Sequence, residues 1–119
     1  MHVHIIRAEP AHAAVIAEMV GELLQEIMTA IGSKAFSFDA TDTETRVRTW
    51  LSNGTNTVFV AYTDRNHVMG FLAVYESYAL YAEGAFGTIT ELYVRPTFRS
   101  QGVGARLLAE TRQFATSRR

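Results

Sequence analysis

The stretch Arg99-Ser100-Gln101-Gly102-Val103-Gly104 offers an anion backbone amides, open space and positive charge in six consecutive residues. It follows a strand-like run ending at Val94 and a turn at Pro96, and it leads into the apolar periodicity of a helix. The first turn of a helix leaves its amide hydrogens without intrahelical acceptors, and the aligned peptide dipoles add partial positive charge there. Glycines at 102 and 104 remove the Cβ atoms that would hold a diphosphate off the backbone. Arg99 brings a guanidinium with several donors. Taken alone, the same R-x-x-G-x-G spacing also serves an ordinary strand-to-helix turn. It is not the dinucleotide-binding G-x-G-x-x-G, and no Gly-Lys-Ser/Thr follows to make a P-loop.

The flanking elements must hold this loop in place. His2–Arg7 is rich in β-branched residues and reads as a first strand. Pro10 opens a helix running to about Thr29, with Ile16, Val20, Leu23 and Ile27 on one apolar stripe. After Gly32 the pattern is lost, with Phe36 and Phe38 in an aperiodic stretch. Thr41-Asp42-Thr43-Glu44 fits a capping box for a short helix through Val47, Trp50 and Leu51, with Trp50 packed on the sheet. Thr57–Thr63, Val68–Leu80 and Gly87–Val94 read as three strands of an antiparallel meander, bulged at Gly70, with turns at Asp64–His67 and Glu83-Gly84-Ala85. Pro96 ends the ladder because it has no amide hydrogen. Val103, Leu107, Leu108, Phe114 and Ala115 mark a last helix. The order β-α-α-β-β-β-α describes one α/β (α+β) domain, residues 1–119, with a mixed layout on a single sheet.

Composition excludes several classes of function. With 48% hydrophobic and 19% charged residues in 119, the chain is an ordinary globular domain. A formal net charge of −1 gives no broad attraction to nucleic acid or to an anionic membrane, so neither is an expected partner. Arg95, Arg99, Arg106, Arg112, Arg118 and Arg119 cluster late, either serving a phosphate ligand locally or coating a solvated helix face. Cysteine is absent, which rules out disulfides, thiolate metal sites and a cysteine nucleophile, and suits a reducing cytoplasm. No apolar run approaches the roughly 20 residues that span a bilayer. His2 and His4 share a strand face but lack a third ligand at a recognisable spacing, so no metal is expected.

With Leu92-Tyr93-Val94-Arg95-Pro96 before the loop, Ile6-Arg7-Ala8-Glu9 at the start and the same element order, the chain resembles the GCN5-related N-acetyltransferase (GNAT) family. The resemblance extends over essentially the whole chain and is specific in Glu91–Leu108. It implies an acetyl-CoA co-substrate whose pyrophosphate is bound by backbone amides of Gln101, Gly102, Val103, Gly104 and Ala105, with Arg99 and Ser100 in the same loop. The pantetheine arm would pair like an added strand with the backbone of Leu92, Tyr93 and Val94. The Val94 amide would polarise the thioester carbonyl, an effect often worth a few kcal/mol per donor. Direct transfer to a primary amine needs a base, and Glu91 matches an acidic position on this strand in many family members. Glu76 is a second candidate, and either carboxylate equally suits an exposed strand or an arginine partner. Tyr75, Tyr78, Tyr81 and Tyr93 line an acceptor cleft or simply pack the strands. Phe36 and Phe38, in Met28–Phe38, fall where the family shapes its acceptor pocket.

Relative to the family, the sequence is C-terminally short. It stops after the third helix, before the usual fifth strand, the fourth helix with its thiolate-protonating tyrosine, and the final strands. The edge of Gly87–Val94 is then expected to lie bare, and a homodimer through that edge is the expected assembly. The leading reading is an N-acetyltransferase acting on a small-molecule or peptide amine. The alternatives are a noncatalytic acyl-CoA-binding or protein-interaction module on a degenerate GNAT fold, and an unrelated α/β domain whose glycines only turn the chain. Amino acids, polyamines, aminoglycosides and protein N-termini all remain open as acceptors.

Overall fold

Runs of β-branched and aromatic residues build the sheet on which the helices pack. In the computed structural model, which describes residues 2–34, 37–78, 80 and 85–117, four strands follow one another in space as they do in sequence. They are β1 (His4–Arg7), β2 (Thr57–Tyr62), β3 (Val68–Tyr78) and β4 (Ala85–Val94), and every pairing is antiparallel. The helices are α1 (Ala13–Ile31), α2 (Ala40–Asn53) and α3 (Val103–Ser117). The order is the expected mixed α/β one, with single 3₁₀ turns added at Pro10–His12 and Pro96–Phe98.

Period-two alternation divides the strand side chains between two cores. Phe59, Ala61, Leu72 and Val74 meet Val103 and Leu107 of α3 on one face. Val58, Val60, Phe71, Ala73 and Tyr93 meet Ile16 and Met19 of α1 on the other, where Val47 and Leu51 of α2 pack on them. Because helices cover both faces, Val58–Ala61 are buried without a break. Leu107 is fully buried, so Leu107→Ala belongs to the class of core truncations that destabilise by about 2–5 kcal/mol.

Several local expectations need correction. Trp50 lies on the outer side of α2, 39% exposed, because Val47 and Leu51 already take the sheet-facing positions. On α3 the inward stripe is Val103, Leu107, Thr111 and Phe114, and Leu108 and Ala115 face solvent. Helix α2 is capped by Asp39, whose carboxylate accepts from the Asp42 amide at 2.9 Å; Glu44 instead pairs with Arg48. Asp is the better cap, and it stands one position before the first helical residue. The extra residue in β3 is Met69 rather than Gly70, since Ala61 pairs with Gly70 and Tyr62 with Val68. Gly70 answers a different demand, because a Cβ there would overlap the Tyr93 carbonyl and sit 3.0 Å from Val94 Cα. Phe36, Tyr81, Glu83, Gly84, Arg118 and Arg119 lie outside the described residues.

Candidate functional site

Strand β4 ends the sheet, paired on one side with β3. In an antiparallel ladder each residue turns its N–H and C=O to the same side, and successive residues alternate. The Arg95 amide donates to the Met69 carbonyl at 2.8 Å, so Arg95 faces inward and Val94 outward. The Val94 carbonyl accordingly accepts from Arg99 Nε at 2.7 Å instead of from β3. By the same alternation Leu92 also turns its backbone groups to the outer edge, and Tyr93 turns its own toward β3. The expected strand-pairing positions therefore resolve into two outward residues, Leu92 and Val94, and one inward, Tyr93.

The loop delivers α3's N-terminus beside this edge. Ser100 and Gly102 both take left-handed backbone conformations, with φ of 63° and 83°. Arg106 donates its amide to Gly102 O at 3.1 Å, which makes Gly102 the residue just before the helix. The amides of Val103, Gly104 and Ala105 are then first-turn donors with no intrahelical acceptor. The two glycines have different reasons to be there. Gly102 satisfies a positive φ with open space around its Cα, whereas Gly104 is helical and a Cβ there would reach only Val94 Cγ2 at 4.0 Å. First-turn amides beside the open space at Gly102 are suited to an anion such as a diphosphate.

The basic residues near the loop are already engaged. Three carboxylates of α1 at four-residue spacing, Glu18, Glu22 and Glu26, form a stripe that faces β4 and the loop. Arg95 grips both oxygens of Glu22 at 3.1 and 3.0 Å and also reaches Glu18 at 3.0 Å. Tyr93 packs against Phe71 and donates its hydroxyl to Glu22 at 3.0 Å. Burial, then the Glu22 hydrogen bond and its charge, raise the Tyr93 phenol above the ordinary tyrosine value. Arg99 pairs with Glu26 at 2.6 Å and lies over the Tyr93 ring, 5.6 Å from its centroid. Arg106 donates to the Val3 carbonyl at 3.3 Å. Of the late arginines that are described, Arg95, Arg99 and Arg106 thus serve contacts within the chain.

The same α1 carboxylates border a groove of about 890 Å³ between α1 and the 38–44 segment, together with Gln25, Phe38 and Glu44. Phe38 crosses α1 at Gly21, where a Cβ would stand 2.8 Å from its ring. Sequence reasoning singled out Phe38 but missed the carboxylate stripe, although the four-residue spacing was there to be seen. Glu91 pairs in register with Ala73 and so lies on the α1 face, part-buried, accepting from Thr90 Oγ1 at 2.8 Å. Thr90 is an inserted residue, since Ile89 pairs with Val74 and Glu91 with Ala73. Bulges of this kind re-aim a neighbouring side chain. Alternation from Ala73 puts Glu76 on the opposite face, so the two candidate bases are not brought together. Tyr75 and Tyr78 are exposed on β3. His4 meets Asp64 at 2.5 Å, and among the described residues no group of three or more His, Asp or Glu could hold a metal ion. No described helix is long and apolar enough to cross a membrane.

Comparison with known proteins bears on the fold and the family. No curated protein matches the sequence itself. Among solved structures, the chain is similar to an aminoglycoside acetyltransferase from an uncultured soil metagenomic sample, solved with sisomicin. That likeness has 25% identity and a TM-score of 0.73, and covers 98% of this chain and 71% of that one. A predicted acetyltransferase from Clostridium acetobutylicum, solved with acetyl-CoA, shares the fold at 16% identity, TM-score 0.76, over 98% and 75% of the two chains. Ribosomal-protein-alanine N-acetyltransferase from Brucella melitensis biovar Abortus 2308 does so at 16% identity, TM-score 0.77, over 99% and 75%. The model of the acetyltransferase (GNAT) family matches residues 18–119, and the chain belongs to that family of acetyltransferases.

Proposed function

We propose that this chain moves an acetyl group directly from acetyl-CoA to a primary amine. The observation that carries the proposal is a single edge on which the outward backbone groups of Leu92 and Val94 adjoin the first-turn amides of α3. On this reading the amides of Gln101, Gly102, Val103, Gly104 and Ala105, with Ser100 shaping the turn, hold the pyrophosphate. Leu92 and Val94 pair with the pantetheine arm, and the Val94 amide donates to the thioester carbonyl. The co-substrate supplies an acetyl thioester; the amine nitrogen forms the new N–C bond, the C–S bond breaks, and CoA departs as the thiolate, which is released as the free thiol. Glu91, on the α1 face, takes the amine proton directly or through one water. No protein nucleophile is required, which agrees with a chain that contains no cysteine.

We assign the amine to the groove between α1 and the 38–44 segment. Phe38 gives it an apolar wall, and its carboxylates Glu18, Glu22, Glu26 and Glu44 are already paired with Arg95, Arg99 and Arg48, so a cationic acceptor would share them with those arginines. The solved acetyltransferase that carries sisomicin supports a polycationic small molecule as one class to try. A thiol-reactive dye is a direct readout, because the protein contributes no thiol of its own. Incubation with acetyl-CoA should give dye signal that depends on an amine drawn from amino acids, polyamines, aminoglycosides and peptide N-termini. Saturable acetyl-CoA binding with no thiol release from any of them would instead support the noncatalytic acyl-CoA-binding module.

A further inference from the structure

A cationic side chain beside a diphosphate loop is expected to meet the phosphates, yet the Arg99 side chain is directed elsewhere. Its Nε donates to the Val94 carbonyl at 2.7 Å, its terminal nitrogen to Glu26 at 2.6 Å, and its guanidinium lies over Tyr93. Val94 is the last residue of β4, and its peptide groups point off the sheet, where no strand among the described residues fixes them. Beyond it the chain turns through Pro96–Phe98 to the loop. We propose that Arg99 is a positioning residue: it fixes the end of β4 and anchors it to α1, and it is not a ligand of the phosphates. The diphosphate is then held by backbone amides alone, and Arg99 acts on the part of acetyl-CoA that lies along Leu92 and Val94. This inference rests on the reading of that edge as the acetyl-CoA site.

The planar fork matters as much as the charge. A guanidinium can donate to a carbonyl and a carboxylate at once in a fixed geometry, whereas an ammonium is a point charge on a flexible stem. Arg99→Lys therefore keeps the charge near the loop and loses the two-way tie.

The test compares wild type, Arg99→Gln and Arg99→Lys with two probes, acetyl-CoA and S-acetylpantetheine, which lacks the diphosphate. Binding is followed by amide chemical shifts of Leu92, Val94 and Gly102, with unfolding midpoints measured in parallel. Arg99 is part-exposed and its hydrogen bonds are screened, so losing the tie should weaken both probes by a similar factor, roughly three- to tenfold, in both variants. The inference is overturned if Arg99→Gln loses acetyl-CoA but binds S-acetylpantetheine like wild type. Restoration of full acetyl-CoA affinity by Arg99→Lys overturns it equally. Wild type that binds neither probe overturns the acetyl-CoA reading of the edge, and this inference with it.

Discussion

Two glycines two residues apart should respond to the same substitution with opposite signs. Gly102 has φ of 83° and nothing within 4 Å of the position a Cβ would take. Gly102→Ala thus introduces no clash, only the left-handed strain of an L-residue, about 1–2 kcal/mol. The reduced freedom of the unfolded chain returns about 0.4–1 kcal/mol of that. By these two terms the net is a loss of about 1 kcal/mol. Gly104 is helical, and its added Cβ would touch only Val94 Cγ2 at 4.0 Å, an ordinary contact. Gly104→Ala should therefore gain about 0.5–1 kcal/mol from helix propensity. Urea unfolding of the three proteins at a common m-value separates the two variants by about 1.5–2 kcal/mol, with melting temperatures displaced in opposite directions by a few degrees. Destabilisation by both, or by neither, would show that the loop backbone is not arranged as described.

Other consequences are open to direct measurement. The Tyr93 phenol is raised by burial and by Glu22, so its stabilising share is complete below pH 10.0, the ordinary tyrosine value, and is lost as pH climbs through the raised folded value. Tyr93→Phe should therefore remove part of the fall in urea midpoint seen as pH rises above about 10; an unchanged alkaline slope would refute it. Gly70→Ala drives a Cβ into the Tyr93 carbonyl and should destabilise by about 1–3 kcal/mol while shifting the Val94 amide resonance. A neutral Gly70→Ala would mean that β3 and β4 do not approach so closely there. Self-association through the β4 edge would use the outward groups assigned to acetyl-CoA, so the two should exclude one another. Sedimentation velocity should show any such dimer dissociating as acetyl-CoA is added, and a dimer that persists when saturated places its contact elsewhere.

The local and the distant parts of this molecule were unequally readable from sequence. The loop and β4 could be read because their signals lie within one short stretch: a β-rich run, a proline stop, two glycines and an apolar helix. The meander was readable for the same reason, since its strands follow one another at short separations in the sequence. The engagement of Arg95 and Arg99 was not, because their carboxylate partners on α1 lie 73 or 77 positions away. Glu18, Glu22 and Glu26 announce a helix face, but only the fold says what that face meets. Trp50 misled because its size argues for burial, while the spacing of Val47 and Leu51 already fixes the inward side of α2. The bulge at Thr90 had no sequence signal, and it sets where β4 changes register beside Glu91.

On the proposed reading, acetyl-CoA sits on the α3 N-terminus and the outer edge of β4. Calorimetric titration of wild type and Gly102→Asp with acetyl-CoA tests it most directly. Aspartate tolerates a left-handed backbone better than most residues, so the variant should fold while its carboxylate repels the pyrophosphate. Wild type should bind saturably, and the folded variant not at all or more weakly by roughly tenfold or more. Equal affinity in both proteins, or no heat of binding from folded wild type, would contradict it.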